Sequence, residues 1–114
     1  MSMKIYHNPR CRKSRETLAL IEDNGGNAEI VLYLENPPSS DELREIIDML
    51  EIEPIQLVRK QEQEWKENYK GMDLSDQEVI GAMVRFPKLI ERPIVIKGKK
   101  AVLGRPPENV LELL

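Results

Sequence analysis

This 114-residue chain has a single cysteine and a single histidine. One cysteine cannot close an internal disulfide, so the fold is not a disulfide-stapled scaffold, and the thiol stays free in a reducing compartment. One Cys and one His cannot build a structural zinc site, so no metal and no bound cofactor are expected. No apolar run approaches the roughly 20 residues of a membrane span. The segment Met1-Ser2-Met3-Lys4-Ile5-Tyr6 enters a strand pattern almost at once, without the apolar stretch and cleavage site of a signal peptide. The expected location is therefore the cytoplasm, with no membrane partner. Acid is missing from residues 1–15, which carry +5, while the rest carries −8 and the whole chain −3. An acidic protein is a poor general ligand for nucleic acid. A compact basic segment around a thiol suits a small anionic substrate.

What is present reads as one domain, 1–114, without repeats or linkers. Met3–Tyr6 is a first strand, followed by a helix over Arg15–Asp23 that Gly25-Gly26 stops. Glu29–Leu34 is β-branched and apolar, a second, buried strand, and the βαβ order makes the two strands parallel. After Asn36-Pro37-Pro38, Ser39 and Glu42 stand at capping-box spacing, and Leu43, Ile46, Ile47 and Leu50 form one buried helix face. A short helical piece follows Pro54. Gln61–Lys70 is charged and expected to be exposed, with Trp65 and Tyr69 a packed surface pair at i, i+4. Ser75 and Glu78 repeat the capping box before a helix carrying Val79, Ile80, Met83 and Val84. Arg92–Ile96 is a proline-led strand, Gly98-Lys99 suits a two-residue hairpin turn, and Ala101–Leu103 is the partner strand. A last helix has proline in its first turn. The order β-α-β, helical block, β-β-α is an α/β, thioredoxin-like plan. It has a four-stranded mixed sheet, β1 central, and a helical insertion over roughly 39–88.

The chemistry centres on His7-Asn8-Pro9-Arg10-Cys11-Arg12-Lys13-Ser14-Arg15. Cys11 stands in a strand-to-helix loop, where the first backbone N–H groups of the helix lack partners and bind anions. Four cationic side chains surround it. The thiolate is the reactive form. A helix N-terminus supplies about 0.3–1 kcal/mol, up to ~2, toward a negative charge, so a close cation or hydrogen-bond donor is expected as well. Ser14 either donates its hydroxyl to the sulfur or acts as a plain helix cap. His7 either backs the thiolate or is a structural residue at a strand end, and Asn8-Pro9 reads most simply as turn chemistry.

Tyr6-His7-Asn8-Pro9-Arg10-Cys11, with Lys13-Ser14-Arg15-Glu16-Thr17-Leu18, resembles the glutaredoxin-dependent arsenate reductase family, the ArsC family, and within it the short bacterial YfgD-like branch. Leu57-Val58-Arg59-Lys60, Glu91-Arg92-Pro93-Ile94-Val95 and Gly104-Arg105-Pro106-Pro107-Glu108 fall in family order, so the likeness spans essentially the whole chain. The resemblance implies that Cys11 is the nucleophile and that Arg59, Arg92 and Arg105 bind the oxyanion. It also implies that the bond before Pro93 is cis. Guanidinium forks match tetrahedral oxyanions bidentately. Arg12 departs from the small or polar residue of many relatives and adds charge beside the nucleophile.

The reaction so implied is arsenate reduction. The Cys11 thiolate attacks arsenate, water leaves, and external thiols resolve the adduct to arsenite, because the chain holds no second cysteine. In the family these thiols come from glutathione, a co-substrate, and from glutaredoxin, a protein partner. Two other readings stand beside it. One is a monothiol glutaredoxin-like thiol-exchange module, from the Cys11-Arg12-Lys13-Ser14 pattern. The other is an Spx-type regulator that binds RNA polymerase, for which Ser14 removes the usual disulfide switch. Monomer is the default oligomeric state.

Overall fold

A computed structural model describes residues 2–114. The described chain divides into two compact units, one of residues 2–36 and 92–114, the other of residues 37–91.

The first unit is built on a four-stranded sheet. Strand β1 (Met3–Tyr6) leads into helix α1 (Arg12–Asp23) and strand β2 (Ala28–Val31). Strands β3 (Ile94–Lys97) and β4 (Lys100–Leu103) close the sheet in the order β2-β1-β3-β4. β1 pairs parallel with β2, as the βαβ reading requires, and antiparallel with β3, so it is central. The β3–β4 hairpin turns on Gly98-Lys99, with Lys97 opposite Lys100 and Gly98 at φ +64°. Such a left-handed first turn position costs glycine nothing.

Side chains alternate across the pleat. Met3 and Ile5 therefore join Val95 on one face, over which α1 contributes Ile21 and the C-terminal segment Val110 and Leu113. Helix α1 ends in a Schellman turn. The Gly26 N–H donates to the Ile21 carbonyl (2.8 Å) and the Gly25 N–H to that of Glu22 (3.0 Å), with Gly25 at φ +77°. The glycine pair satisfies carbonyls that the helix itself leaves open.

Three expectations for this unit are corrected. Helix α1 begins at Arg12 rather than Arg15, with Cys11 as its N-cap. β2 stops at Val31 and is an edge strand with Glu29 and Ile30 exposed, not a buried strand running to Leu34. The last helix is a 3-10 helix over Pro107–Leu113. Pro107, Val110 and Leu113 are buried while Leu111 and Leu114 are exposed, a period of three that suits the eclipsed 3-10 geometry.

The second unit is helical. Helix α2 (Ser40–Leu50) and helix α4 (Asp76–Arg85) both start in complete capping boxes, Ser39 with Glu42 and Ser75 with Glu78. Each box satisfies two orphan N–H donors reciprocally. Leu43, Ile46 and Ile47 of α2 are buried, as are Val79, Ile80 and Met83 of α4, while Leu50 is only half-buried. Between them lie a 3-10 turn (Pro54–Leu57) and the short helix α3 (Gln63–Asn68). A further 3-10 turn spans Pro87–Leu89. The stretch Gln61–Lys70 is not wholly exposed. Trp65 is buried, its ring stacked at a tilt 5.3 Å from that of Tyr69, which meets Phe86 edge-on. Aromatic contacts of this kind anchor an otherwise charged helix.

Candidate active site

Cys11 caps α1 in an extended conformation (φ −90°, ψ +121°), with no side-chain hydrogen bond closing the helix end. Its own N–H donates to the Asn8 carbonyl (3.0 Å) and its carbonyl accepts from the Arg15 N–H (3.0 Å). The sulfur thus stands over the open donors of the first turn. Burial pushes the thiol up. Against it act a hydrogen bond from the Arg92 guanidinium, the Ser14 N–H, the Arg92 charge and the Lys13 N–H, and together they bring Cys11 below the ordinary cysteine value. These are the two ways a protein favours a thiolate, direct donation to sulfur and a neighbouring cation.

Beneath the loop is a buried polar group. Ser14 is fully buried, and its hydroxyl lies 2.6 Å from His7 Nδ1 while accepting the Asn8 N–H at 3.1 Å. The hydroxyl is neither a cap for α1 nor a donor seen on Cys11. Ser14 reaches the sulfur through its backbone, because at the third helical position its N–H is one of the orphans. His7 is held below the usual histidine range, first by burial and then by the Arg15 charge, so it is neutral at pH 7. Asn8 Oδ1 accepts the Arg10 N–H (3.0 Å), and the Arg15 guanidinium donates to the Pro9 carbonyl (2.9 Å). The loop is therefore tied down by its own polar residues as well as by proline.

The basic collar does not converge on the thiol. Arg12 is exposed and donates to Glu16 (2.8 Å), one turn along the helix, and Arg15 is engaged with Pro9. Arg92 acts on the sulfur instead, from just ahead of β3. Its carbonyl accepts a hydrogen bond from the Arg105 guanidinium (3.1 Å), so Arg105 joins the same cluster through backbone. The Arg92–Pro93 peptide bond is cis, as the resemblance implies, and so is Arg105–Pro106, for which the sequence carries no distinguishing sign.

Arg59 belongs to the second unit. Its side chain is only 11% exposed and lies 3.6 Å from the carboxylates of both Glu62 and Glu91. The Val58–Ile90 bridge sets this up, since the Arg59 N–H donates to the Leu89 carbonyl (2.7 Å) and the Glu91 N–H to that of Leu57 (2.8 Å). The i, i+3 spacing of Arg59 and Glu62 is legible in the sequence, whereas the Glu91 partner requires the bridge.

A thiol at the N-terminus of the first helix, after the central strand of a mixed sheet whose third strand starts at a cis proline, defines a thioredoxin-like thiol protein. The chain belongs to the ArsC family, whose family model matches residues 6–113. An arsenate reductase of Haemophilus influenzae is 49% identical, over 100% of both chains. The uncharacterized protein YfgD of Escherichia coli K12 is 50% identical, over 98% of this chain and 96% of its own. The solved structure of an arsenate reductase from Vibrio cholerae is 48% identical with a TM-score of 0.95, covering 100% of this chain and 98% of that one.

Proposed function

We propose that the protein is an arsenate reductase with Cys11 as nucleophile. The observation that carries the reading is the Arg92 guanidinium donating to a half-buried Cys11 sulfur at a helix N-terminus, in a chain of the ArsC family. The thiolate attacks arsenic(V), and an arsenate oxygen leaves as water after taking up protons, forming a sulfur–arsenic bond. Arg92 and Arg105 hold the oxyanion and offset the repulsion between an anionic sulfur and an anionic substrate. Pro93, His7, Asn8 and Ser14 hold the loop in place.

Cys11 is the only cysteine, so two external thiols supply the two electrons that take arsenic(V) to arsenic(III). They end as a disulfide, while arsenite leaves and Cys11 is regenerated. Glutathione and glutaredoxin fill that role in this reading, and the reducing pool it needs is that of the cytoplasm. No helix of the described residues is long and apolar enough to cross a membrane.

The test is arsenate-dependent NADPH oxidation with glutathione, glutaredoxin and glutathione reductase. Turnover by the wild type that vanishes in Cys11→Ser supports both the reaction and the nucleophile. A well-folded wild type without turnover overturns the substrate, and turnover with thioredoxin alone overturns the source of the resolving thiols.

A further inference from the structure

We propose that Gly104 is a positioning residue of this site: its missing side chain sets the spacing between the helix that bears Cys11 and the backbone that bears Arg92 and Arg105. The proposal rests on the reading of Cys11 and Arg92 given above.

Gly104 is buried at the end of β4, between Thr17 of α1 and Pro93. Its N–H donates to the Pro93 carbonyl (2.9 Å), and the Thr17 hydroxyl approaches its carbonyl at 3.4 Å. A Cβ placed on Gly104 would sit 2.7 Å from Pro93 Cγ, 3.0 Å from Thr17 Cγ2 and closer still to the Thr17 hydroxyl. Neither neighbour yields easily. Proline is a closed ring. Thr17 is β-branched, fully buried, and its hydroxyl is held by the Lys13 carbonyl at 2.8 Å, so rotating it away breaks that bond and meets the preceding turn. The remaining relief is for the 93/104 backbone pair to move off α1.

That movement reaches the site within one residue on each side. Arg92 precedes Pro93 and donates to Cys11, and Arg105 follows Gly104 and holds the Arg92 carbonyl. By contrast, a Cβ at Gly81, in the middle of α4, would meet nothing within 4 Å.

The experiment compares Gly104→Ala, Thr17→Ala and the double variant with the wild type, using Gly81→Ala as the glycine control. Two quantities are read, the pH titration of Cys11 by thiolate ultraviolet absorbance and kcat/KM for arsenate. Gly104→Ala is expected to titrate at higher pH than wild type and to lose about 100-fold in kcat/KM, the scale of an ångström-sized misplacement. Removing the Thr17 side chain in the double variant is expected to return the titration part of the way, since the Pro93 obstruction remains. Gly81→Ala is expected to titrate as wild type. A folded Gly104→Ala with unchanged titration overturns the proposal. If Gly104→Ala alone does not fold, the double variant is read against Thr17→Ala, and identical titrations overturn it equally. The titration needs no arsenate, so a wrong substrate and a wrong role for Gly104 give different results.

Discussion

Ser14 Oγ lies 2.6 Å from His7 Nδ1, seven residues apart in sequence and both buried beneath the nucleophile loop. The hydroxyl shares a hydrogen bond with the His7 ring and accepts the Asn8 N–H. The bond occupies the hydroxyl that sequence proximity offers to Cys11. Ser14→Ala therefore leaves the Asn8 N–H and His7 Nδ1 without this partner, at an expected cost of about 1–3 kcal/mol in urea unfolding. The Cys11 titration is expected not to move, because the serine acts on sulfur through its N–H. A clear upward shift would return the hydroxyl to the sulfur.

His7 carries a pH dependence of its own. Its folded-state pKa is lowered by burial and by Arg15, so the unfolded chain binds the proton more readily. Its contribution to stability is expected to fall as pH drops through the unfolded value, about 6.5, and to level off below the folded value. Denaturation midpoints measured across this range for wild type and His7→Gln check it. The wild type should lose more stability on acidification, and parallel curves would mean that His7 is not the group responsible.

Arg92 and Arg12 make opposite predictions from the same charge. Arg92→Gln removes the guanidinium donor and the charge beside Cys11. The thiol should titrate higher, the acid limb of the activity profile should shift to higher pH, and loss of a charged hydrogen bond, about 1.5–3 kcal/mol, predicts roughly a ten- to hundredfold fall in kcat/KM. Arg12 is paired with Glu16 on the exposed face. Arg12→Ala should leave the Cys11 titration in place and cost about 0.3–0.5 kcal/mol of stability. An equal shift in both variants would mean that long-range charge, rather than contact, sets the thiol.

The Schellman turn offers a prediction away from the site. A Cβ on Gly25 would meet nothing within 4 Å, yet the residue has φ +77°. Gly25→Ala should destabilise by about 1–2 kcal/mol, the cost of a left-handed conformation for an L-residue, with kcat/KM unchanged. Unfolding and steady-state assays on one preparation decide it. A drop in turnover would couple the far end of α1 to its N-terminus.

Elements encoded by near neighbours are legible in the sequence alone. The capping boxes at Ser39 and Ser75, the stop at Gly25-Gly26 and the Gly98-Lys99 turn each involve a few consecutive residues, and each is present. The βαβ order makes β1 and β2 parallel, and the β-α-β, helical block, β-β-α plan puts β1 in the middle of a mixed sheet. Cys11 stands out as a lone thiol in a cationic loop. Composition without context misleads. The apolar run Ile30–Leu34 reads as a buried strand, but the strand ends at Val31 in an edge position that leaves Ile30 about half exposed, and Leu34 lies in the turn beyond it. Four cations near a cysteine read as its activators, but Arg12 and Arg15 find nearer partners.

The sequence by itself determined where two helices begin and where the first one stops, which strand is central, and that any sulfur chemistry must pass through Cys11 with electrons from outside. Those follow from short-range backbone hydrogen bonding, side-chain periodicity and the count of thiols. Only the tertiary structure decided that Arg92 reaches the sulfur, that Arg105 bonds to its backbone, that Ser14 turns its hydroxyl to His7, and that Gly104 lies between Thr17 and Pro93. These contacts join residues from seven to 87 positions apart. Contacts of a few ångströms between such residues depend on how strands pair and pack, which no local pattern encodes.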